Sequence, residues 1–128
     1  MTEIKTDVTS EVKAEITFRD LWLSENVLRA IEQKGYKTPS SIQAWVIPLA
    51  LNTDKDIIGQ AQTWSGKTAA FGLPILDRLN PNSRDAQALI LTPTRELAIQ
   101  IAEELKSFSI HSNLNITLLY GWQNIRTE

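Results

Sequence analysis

The chain has 128 residues, 42% of them apolar and 22% charged, which is typical of one compact domain with a hydrophobic core. Its formal net charge of −2 argues against a protein that coats nucleic acid through a global positive field. The lack of cysteine excludes disulfides and thiolate metal sites, and the lack of a long apolar run or of a signal segment near Met1 predicts a cytoplasmic protein without membrane attachment.

The first part of the chain is predicted to be a tail followed by two helices. Residues 1–15 mix charged residues with Thr, Ser and Val and contain no aromatics, which predicts a flexible tail. Ser24 is a candidate N-cap, followed by apolar residues at helical spacing up to Gly35. A second helix is expected from Ser40 or its neighbour to about Leu51.

The second part alternates strand and helix patterns. Strands are predicted at 56–60, 88–91 and 116–119, and helices at 66–79 and 94–107. This order indicates an α/β fold with a parallel sheet, right-handed crossovers and helices flanking it. The predicted strands are apolar without alternation, as expected where both faces of a sheet are covered.

A phosphate-binding loop is the strongest chemical signal. Residues 61–68 read Ala-Gln-Thr-Trp-Ser-Gly-Lys-Thr between a predicted strand and a predicted helix. Loop amides and the helix start would hold phosphates, Lys67 would neutralise their charge, and the Thr68 hydroxyl would ligate Mg²⁺. The alternative is a chance Gly-Lys-Thr at an ordinary helix start. Ala61 replaces the motif's first glycine, and the indole of Trp64 should obstruct the wrapping of phosphate.

Four segments resemble, in order, the motifs of DEAD-box RNA helicases. Residues 35–43 (Gly-Tyr-Lys-Thr-Pro-Ser-Ser-Ile-Gln) resemble the adenine-recognising Q motif, with Phe18 as its upstream aromatic. Residues 61–68 resemble the first ATPase motif, and 93–100 (Pro-Thr-Arg-Glu-Leu-Ala-Ile-Gln) resemble motif Ia. Residues 121–122 (Gly-Trp) lie where the family has its Gly-Gly motif.

The resemblance implies a truncated RecA-like domain of the P-loop NTPase class that uses ATP and Mg²⁺ and contacts the RNA backbone with little sequence specificity. The predicted units are the tail 1–15, a helical Q-motif region 16–51 and a partial ATP-binding domain 52–128. Lys67 and Thr68 are the implied catalytic residues, Thr68 being also the implied metal ligand. The implied nucleotide-binding residues are Phe18, Lys37, Gln43, Gln62, Thr63, Trp64, Ser65, Gly66, Lys67, Thr68 and Ala69. The implied RNA-binding residues are Pro93, Thr94, Arg95, Glu96, Gly121 and Trp122.

Each of these assignments has a purely structural alternative. The amide of Gln43 matches the edge of adenine, but Ser40-x-x-Gln43 also has the spacing of a capping box. Phe18 beside a first helix is a core candidate. Residues 94–96 suit a first helical turn, in which Glu96 complements the helix dipole. Gly121 suits a plain turn.

No Asp-Glu-Ala-Asp or Ser-Ala-Thr segment occurs among the 128 residues. We therefore expect part of a helicase whose full-length form unwinds RNA with ATP, nearly inert alone because phosphoryl transfer needs a complete site and a second RecA-like lobe. A truncated sheet should also expose apolar surface and favour aggregation. One alternative is a non-catalytic module that binds nucleotide or RNA. Another is an unrelated P-loop enzyme such as a small-molecule kinase, against which Gln43 and Thr94-Arg95 argue.

All four tryptophans lie where DEAD-box relatives frequently have glycine. They are Trp22, Trp45, Trp64 and Trp122, in four environments that share no need for an indole. We interpret them as UGA codons that the source organism would translate as glycine. The alternative is genuine substitution in an inactive protein, and UGG codons at these positions would support that alternative.

Overall fold

The computed structural model describes residues 15–62 and 65–121. In chain order the elements are a 3₁₀ helix, Phe18–Leu21, and four α-helices: α1 (Glu25–Gln33), α2 (Ser41–Asn52), α3 (Lys67–Arg78) and α4 (Arg95–Phe108). The four α-helices confirm the predicted helices to within about two residues at each end. The predicted tail lies outside the described residues except for Glu15.

The 3₁₀ helix was not predicted from the sequence. The carboxylate of Asp20 accepts hydrogen bonds from the backbone N–H and the hydroxyl of Thr17, at 2.8 and 2.9 Å. These two donors lower the pKa of Asp20. Arg19 reaches across to α1, where it contacts Glu32 at 2.7 Å and Glu25 at 3.4 Å. The short element is thereby fixed to α1 and places Phe18 against the core.

The core lies between the helices. Its fully buried side chains include Ile31 of α1, Ile47 of α2, Leu73 of α3 and Phe108 of α4. Burial of such side chains from water is the main source of stability in a domain of this size. Ser24 also links distant parts of the chain, because its backbone N–H donates to the carboxylate of Asp77 in α3 over 2.8 Å.

The predicted sheet is not confirmed. No strand is assigned within residues 15–62 and 65–121, and no backbone hydrogen bonds join 56–60, 88–91 and 116–119 to one another there. A strand is defined by its ladder of hydrogen bonds to a neighbour, so an apolar run alone does not make one. Along 114–120 half-buried and exposed residues do alternate, which is the side-chain pattern of a strand.

The apolar residues of α4 are buried to different degrees. Ile101, Leu105 and Phe108 are buried, whereas Leu97 is 36% exposed. Leu97 belongs to the first turn of α4, beside the exposed residues Arg95 and Glu96, where the helix projects past the core. None of the helices in the described part of the chain is both long and apolar enough to cross a bilayer.

Candidate functional site

The start of α3 is a turn with a glycine as its N-cap. Gly66, its N-cap, has φ 78° and ψ 32°, in the left-handed region that glycine adopts without strain. No side chain among the described residues caps the first turn, so its amides are not satisfied in that way. The buried hydroxyl of Ser65 has no hydrogen-bond partner there either. Lys67 is exposed and Thr68 half-buried at the same helix start.

Two side chains from the start of α2 hold this turn. The hydroxyl of Ser40 donates to the carbonyl oxygen of Ser65 over 2.7 Å, and Gln43 Nε2 donates to the carbonyl oxygen of Gly66 over 3.1 Å. Gln43 is only 6% exposed. The residues predicted from the Q motif and from the phosphate loop therefore meet, although 23 positions separate Gln43 from Gly66.

The capping-box interpretation of Gln43 is also supported. Its Oε1 accepts a hydrogen bond from the backbone N–H of Ser40 over 2.9 Å. An amide group has two donor hydrogens and an oxygen with two lone pairs, so these contacts leave one hydrogen and one lone pair available. The structural role and recognition of an adenine edge are compatible in one side chain.

Two features of the turn disfavour a side chain at Gly66. A side chain at a φ of 78° is strained, and a Cβ atom built on Gly66 would collide with Nε2 of Gln43. The close approach exists because the Gln43 amide lies directly against the backbone of the turn.

The chemistry of this turn fits a phosphate group. An uncapped helix start carries a partial positive charge, and Lys67 adds a full positive charge beside it. The unpartnered Ser65 hydroxyl could donate a hydrogen bond to a phosphate oxygen. The hydroxyl of Thr68 is the oxygen that could ligate a Mg²⁺ ion, which would supply charge neutralisation.

The remaining predicted nucleotide residues differ in their placement. Gln62 is exposed, and its carbonyl oxygen accepts a hydrogen bond from the Ser65 N–H over 3.3 Å. The side chain of Ala69 is buried in the core, so only its backbone could face a ligand. Thr63 and Trp64 lie outside the described residues, as does Trp122.

Phe18 and Lys37 border a separate cavity of about 250 Å³, together with Tyr36 and Ile31. Phe18 is 4% exposed and belongs to the core, as its structural alternative predicted. Gln43 does not line this cavity. Phe18 and Gln43, both implied to contact the base, therefore do not share one cavity.

Another cavity, of about 500 Å³, lies between α2 and α3. Apart from Lys67 and Arg78, its lining is formed by apolar side chains and the backbone of Gly59. A phosphate needs several donors, so the helix start at Gly66 is a better phosphate site than this cavity.

The predicted RNA-binding residues surround the start of α4. Thr94 caps the helix, because its hydroxyl accepts a hydrogen bond from the Leu97 N–H over 3.2 Å. The hydroxyl of Thr92 donates to the Thr94 carbonyl oxygen over 2.9 Å. The guanidinium of Arg95 lies over the ring of Tyr120, with 4.4 Å between Cζ and the ring centroid.

Other members of this group are exposed but make fewer contacts. Pro93, Glu96 and Gly121 are all exposed. Glu96 lies in the first turn of α4, as its dipole interpretation requires. Gly121 has no positive φ and open space around it, so its backbone does not demand glycine. His111, for which no role was predicted, lies 2.9 Å from Oε1 of Gln33.

Some contacts at the candidate sites were missed from the sequence. The Ser40–Ser65 hydrogen bond joins residues 25 positions apart, and no periodic pattern signals such a pair. Tyr120 was not predicted to contact Arg95, although an aromatic directly before a turn glycine is a signal that could have been used.

Comparisons with known proteins give consistent results. The profile of the family described as DEAD/DEAH box helicase matches residues 40–128. Over 112 residues the chain is 48% identical to the DEAD-box ATP-dependent RNA helicase CshA of Bacillus cereus, which covers 88% of this chain and 21% of that protein. The CshA of Bacillus subtilis is 47% identical over 110 residues, covering 86% and 22% of the two chains.

Solved structures are similar as well. A DEAD box protein from Methanococcus jannaschii is 47% identical with a TM-score of 0.77, over 85% of this chain and 30% of that one. S. cerevisiae Dbp5 bound to RNA and ADP BeF3 is 38% identical with a TM-score of 0.74, over 78% and 26%. The chain thus spans about a fifth of the length of the curated relatives it matches, 21% for the first of them.

Proposed function

Since the chain belongs to the DEAD/DEAH box helicase family, we propose that it forms the ATP-binding and RNA-contacting part of an ATP-dependent RNA helicase. The observation that carries this proposal is the contact of Ser40 and Gln43 with Ser65 and Gly66. An adenine nucleotide carries both a base and phosphates. Its binding site therefore needs an amide that recognises the base close to a turn that binds the phosphates. ATP hydrolysis and RNA unwinding are proposed for a protein of the relatives' full length.

We assign the roles as follows. The amides after Gly66 bind the phosphates, Lys67 neutralises the β- and γ-phosphates, and Thr68 ligates Mg²⁺. The free hydrogen of the Gln43 amide donates to N7 of adenine, and its free lone pair accepts from the N6 amino group. Guanine has the acceptor O6 in place of this amino group, so it cannot make the second contact. Gln62, Thr63 and the backbone of Ala69 complete the proposed nucleotide site. Phe18 and Lys37, which border a separate cavity, and Trp64, whose indole should obstruct phosphate, are assigned to it by the family resemblance alone.

The proposed RNA site is the start of α4. The 14-residue helix directs its positive end outward at Arg95, which is exposed. Phosphate contacts of this kind bind RNA without reading its sequence. Pro93, Thr94, Glu96, Gly121 and Trp122 complete the proposed RNA contacts. The proposed RecA-like parallel sheet is supported by the similarity to the solved DEAD box protein of Methanococcus jannaschii, although no strand is assigned among the described residues.

Binding of a fluorescent ATP analogue tests the nucleotide part of the proposal. We expect Mg·ATP to displace the analogue at lower concentration than Mg·GTP, and Gln43→Ala to remove this preference. Lys67→Ala should weaken binding of both nucleotides by about tenfold or more, as expected for the loss of a charge-assisted contact. The matched control is Lys55→Ala, which removes an exposed lysine from the connection after α2. If Lys55→Ala and Lys67→Ala weakened nucleotide binding equally, the assignment of Lys67 to the phosphate site would be overturned.

Binding of labelled single-stranded RNA tests the second part. Arg95→Ala should weaken binding and reduce the salt dependence by about one charge, as expected for one lost phosphate contact. Arg84→Ala is the control, because Arg84 is an exposed arginine in the connection before the second predicted strand. If Arg84→Ala had the same effect, binding would depend on net charge alone and the RNA site would not be at α4.

A further inference from the structure

The stacking of Arg95 on Tyr120 joins two segments that the sequence places far apart. Arg95 is the first residue of α4, and Tyr120 directly precedes Gly121. Their Cζ-to-centroid distance of 4.4 Å is well within the range of a cation–π contact. Among the described residues no carboxylate forms an ion pair with Arg95. The Tyr120 ring is therefore the partner that determines where this guanidinium lies.

We propose that Tyr120 is a positioning residue for RNA binding, which orients the Arg95 guanidinium toward an RNA phosphate. This inference rests on the proposed RNA site at α4. Stacking uses the flat face of the guanidinium and leaves its N–H donors, which lie in the plane, free for phosphate oxygens. A carboxylate partner would instead occupy those donors and neutralise the charge.

The surroundings of Arg95 support the same role. The Thr94 hydroxyl accepts from Leu97, and the Thr94 carbonyl accepts from Thr92, so the backbone that precedes Arg95 is held in place. The long side chain of Arg95 itself is exposed, and the ring of Tyr120 is the contact that orders it. An exposed arginine must lose rotamer freedom when it binds phosphate, and a ring that orders it beforehand reduces this loss.

Anisotropy of a labelled single-stranded oligouridylate, titrated with the 128-residue chain at several salt concentrations, tests the proposal. Tyr120→Leu removes the ring and keeps apolar bulk, whereas Tyr120→Phe keeps the ring. We expect Tyr120→Leu to weaken RNA binding by about two- to fivefold, the strength of an exposed cation–π contact. Tyr120→Phe should restore most of the affinity. In an Arg95→Ala background, Tyr120→Leu should have no further effect.

The possible outcomes separate the inference from the function on which it rests. If Tyr120→Leu weakens binding equally with and without Arg95, the tyrosine acts on its own and the positioning role is overturned. If Tyr120→Leu binds as tightly as the parent chain, the role is overturned while the RNA site stands. If the parent chain does not bind RNA even at low salt, the RNA site itself is wrong. A thermal melt of each variant checks that the loss of binding is not a loss of folding.

Discussion

Gln43 Nε2 donates a hydrogen bond to the carbonyl oxygen of Gly66 over 3.1 Å, and this contact joins α2 to the first residue before α3. The donor is buried, so the bond forms in a region of low dielectric where an unpaired amide would be unfavourable. It also fixes the distance between the two backbones so closely that Gly66 has no room for a side chain. The segment proposed to recognise the base thus determines the shape of the segment proposed to bind the phosphates.

Replacement of Gly66 by alanine should destabilise the chain more than replacement of Gly35. Both glycines have a φ of 78°, but a Cβ on Gly35 meets nothing within 4 Å whereas one on Gly66 meets Gln43. Gly35→Ala should lower the free energy of unfolding by about 1–2 kcal/mol, the penalty of the left-handed conformation. Gly66→Ala should lower the free energy of unfolding by the same amount and by about 1–3 kcal/mol more, because its Cβ is overpacked against Gln43. Urea unfolding of both variants measures the difference.

The same measurement in a Gln43→Ala background identifies the cause. Without the glutamine, the two glycine variants should be destabilised by similar amounts. A persistent difference would mean that some other neighbour crowds Gly66.

Trp22→Gly should stabilise the chain. Trp22 is the only non-glycine residue with positive φ, 64°, in the described part, and its side chain is 67% exposed. Relief of the left-handed strain should raise the free energy of unfolding by about 1 kcal/mol. Trp45 is the control, because it is 54% exposed within α2. Trp45→Gly should lower stability by about 1 kcal/mol, because glycine is unfavourable inside a helix.

These two variants also test the hypothesis that the tryptophans are encoded by UGA codons, which the source organism would translate as glycine. The backbone at Trp22 favours glycine for a reason independent of any relative. If Trp22→Gly were destabilising, the indole would have a structural role and the codon hypothesis would lose this support.

Stability should depend on pH through Asp20. Its pKa is lowered by the backbone N–H and hydroxyl of Thr17, so the folded chain favours the ionised carboxylate. The contribution is complete above the ordinary carboxyl pKa of about 3.9 and is lost as the pH falls through the lowered value. Asp20→Asn should therefore reduce stability at pH 7 and have little effect near pH 2. Urea unfolding at both pH values is the measurement.

Asp85→Asn, in an exposed connection, is the matched control at pH 7. If the two variants were equally destabilising there, the hydrogen bonds from Thr17 would contribute nothing beyond general charge effects.

Self-association is expected from apolar side chains that no part of the described chain covers. Leu89 and Leu91 are 81% and 84% exposed, and Ile58 and Leu119 are 72% and 74% exposed. Large apolar side chains that are exposed to water favour association between chains, because association buries them. Replacement of Leu89 and Leu91 by threonine should shift sedimentation toward the monomer without loss of helix content. Leu105→Thr, at a position only 5% exposed, should instead unfold the chain.

The helices could be predicted from the sequence because their signals are local. Ser40 and Thr94 mark two helix starts, and Gly35 follows the end of α1, each within about two residues of the structure. The 3₁₀ helix at Phe18 was missed because its four residues carry no helical period. Burial of Phe18 and Leu21 in the core and the contact of Thr17 with Asp20 hold it in place. The strands were predicted from runs of apolar residues. A strand also needs hydrogen bonds to a neighbouring strand, and an apolar run does not show where that neighbour lies.

The candidate site was predicted unevenly for the same reason. The helix predicted to follow the motif at Ala61 to Thr68 is confirmed, because α3 begins at Lys67. The strand predicted before the motif is not found among the described residues, and phosphate binding by the motif stays a prediction. For Gln43 two interpretations remained open, and the structure contains the capping contact together with a new one to Gly66. The Arg95–Tyr120 contact depends on the tertiary fold, which local spacing does not encode.

The turn at Ser65 and Gly66, with Lys67, is proposed to bind the phosphates of a nucleotide. The ¹⁵N–¹H spectrum of the chain titrated with Mg·ATP tests this binding at single amides. We predict saturable shifts of the Ser65, Gly66, Lys67 and Thr68 amides that inorganic triphosphate reproduces, with larger shifts in the Trp64→Gly variant. In Lys67→Ala the same shifts should need about tenfold more Mg·ATP or beyond. Unchanged amides at these four residues in both the parent chain and Trp64→Gly, at millimolar Mg·ATP, would show that this turn does not bind the phosphates.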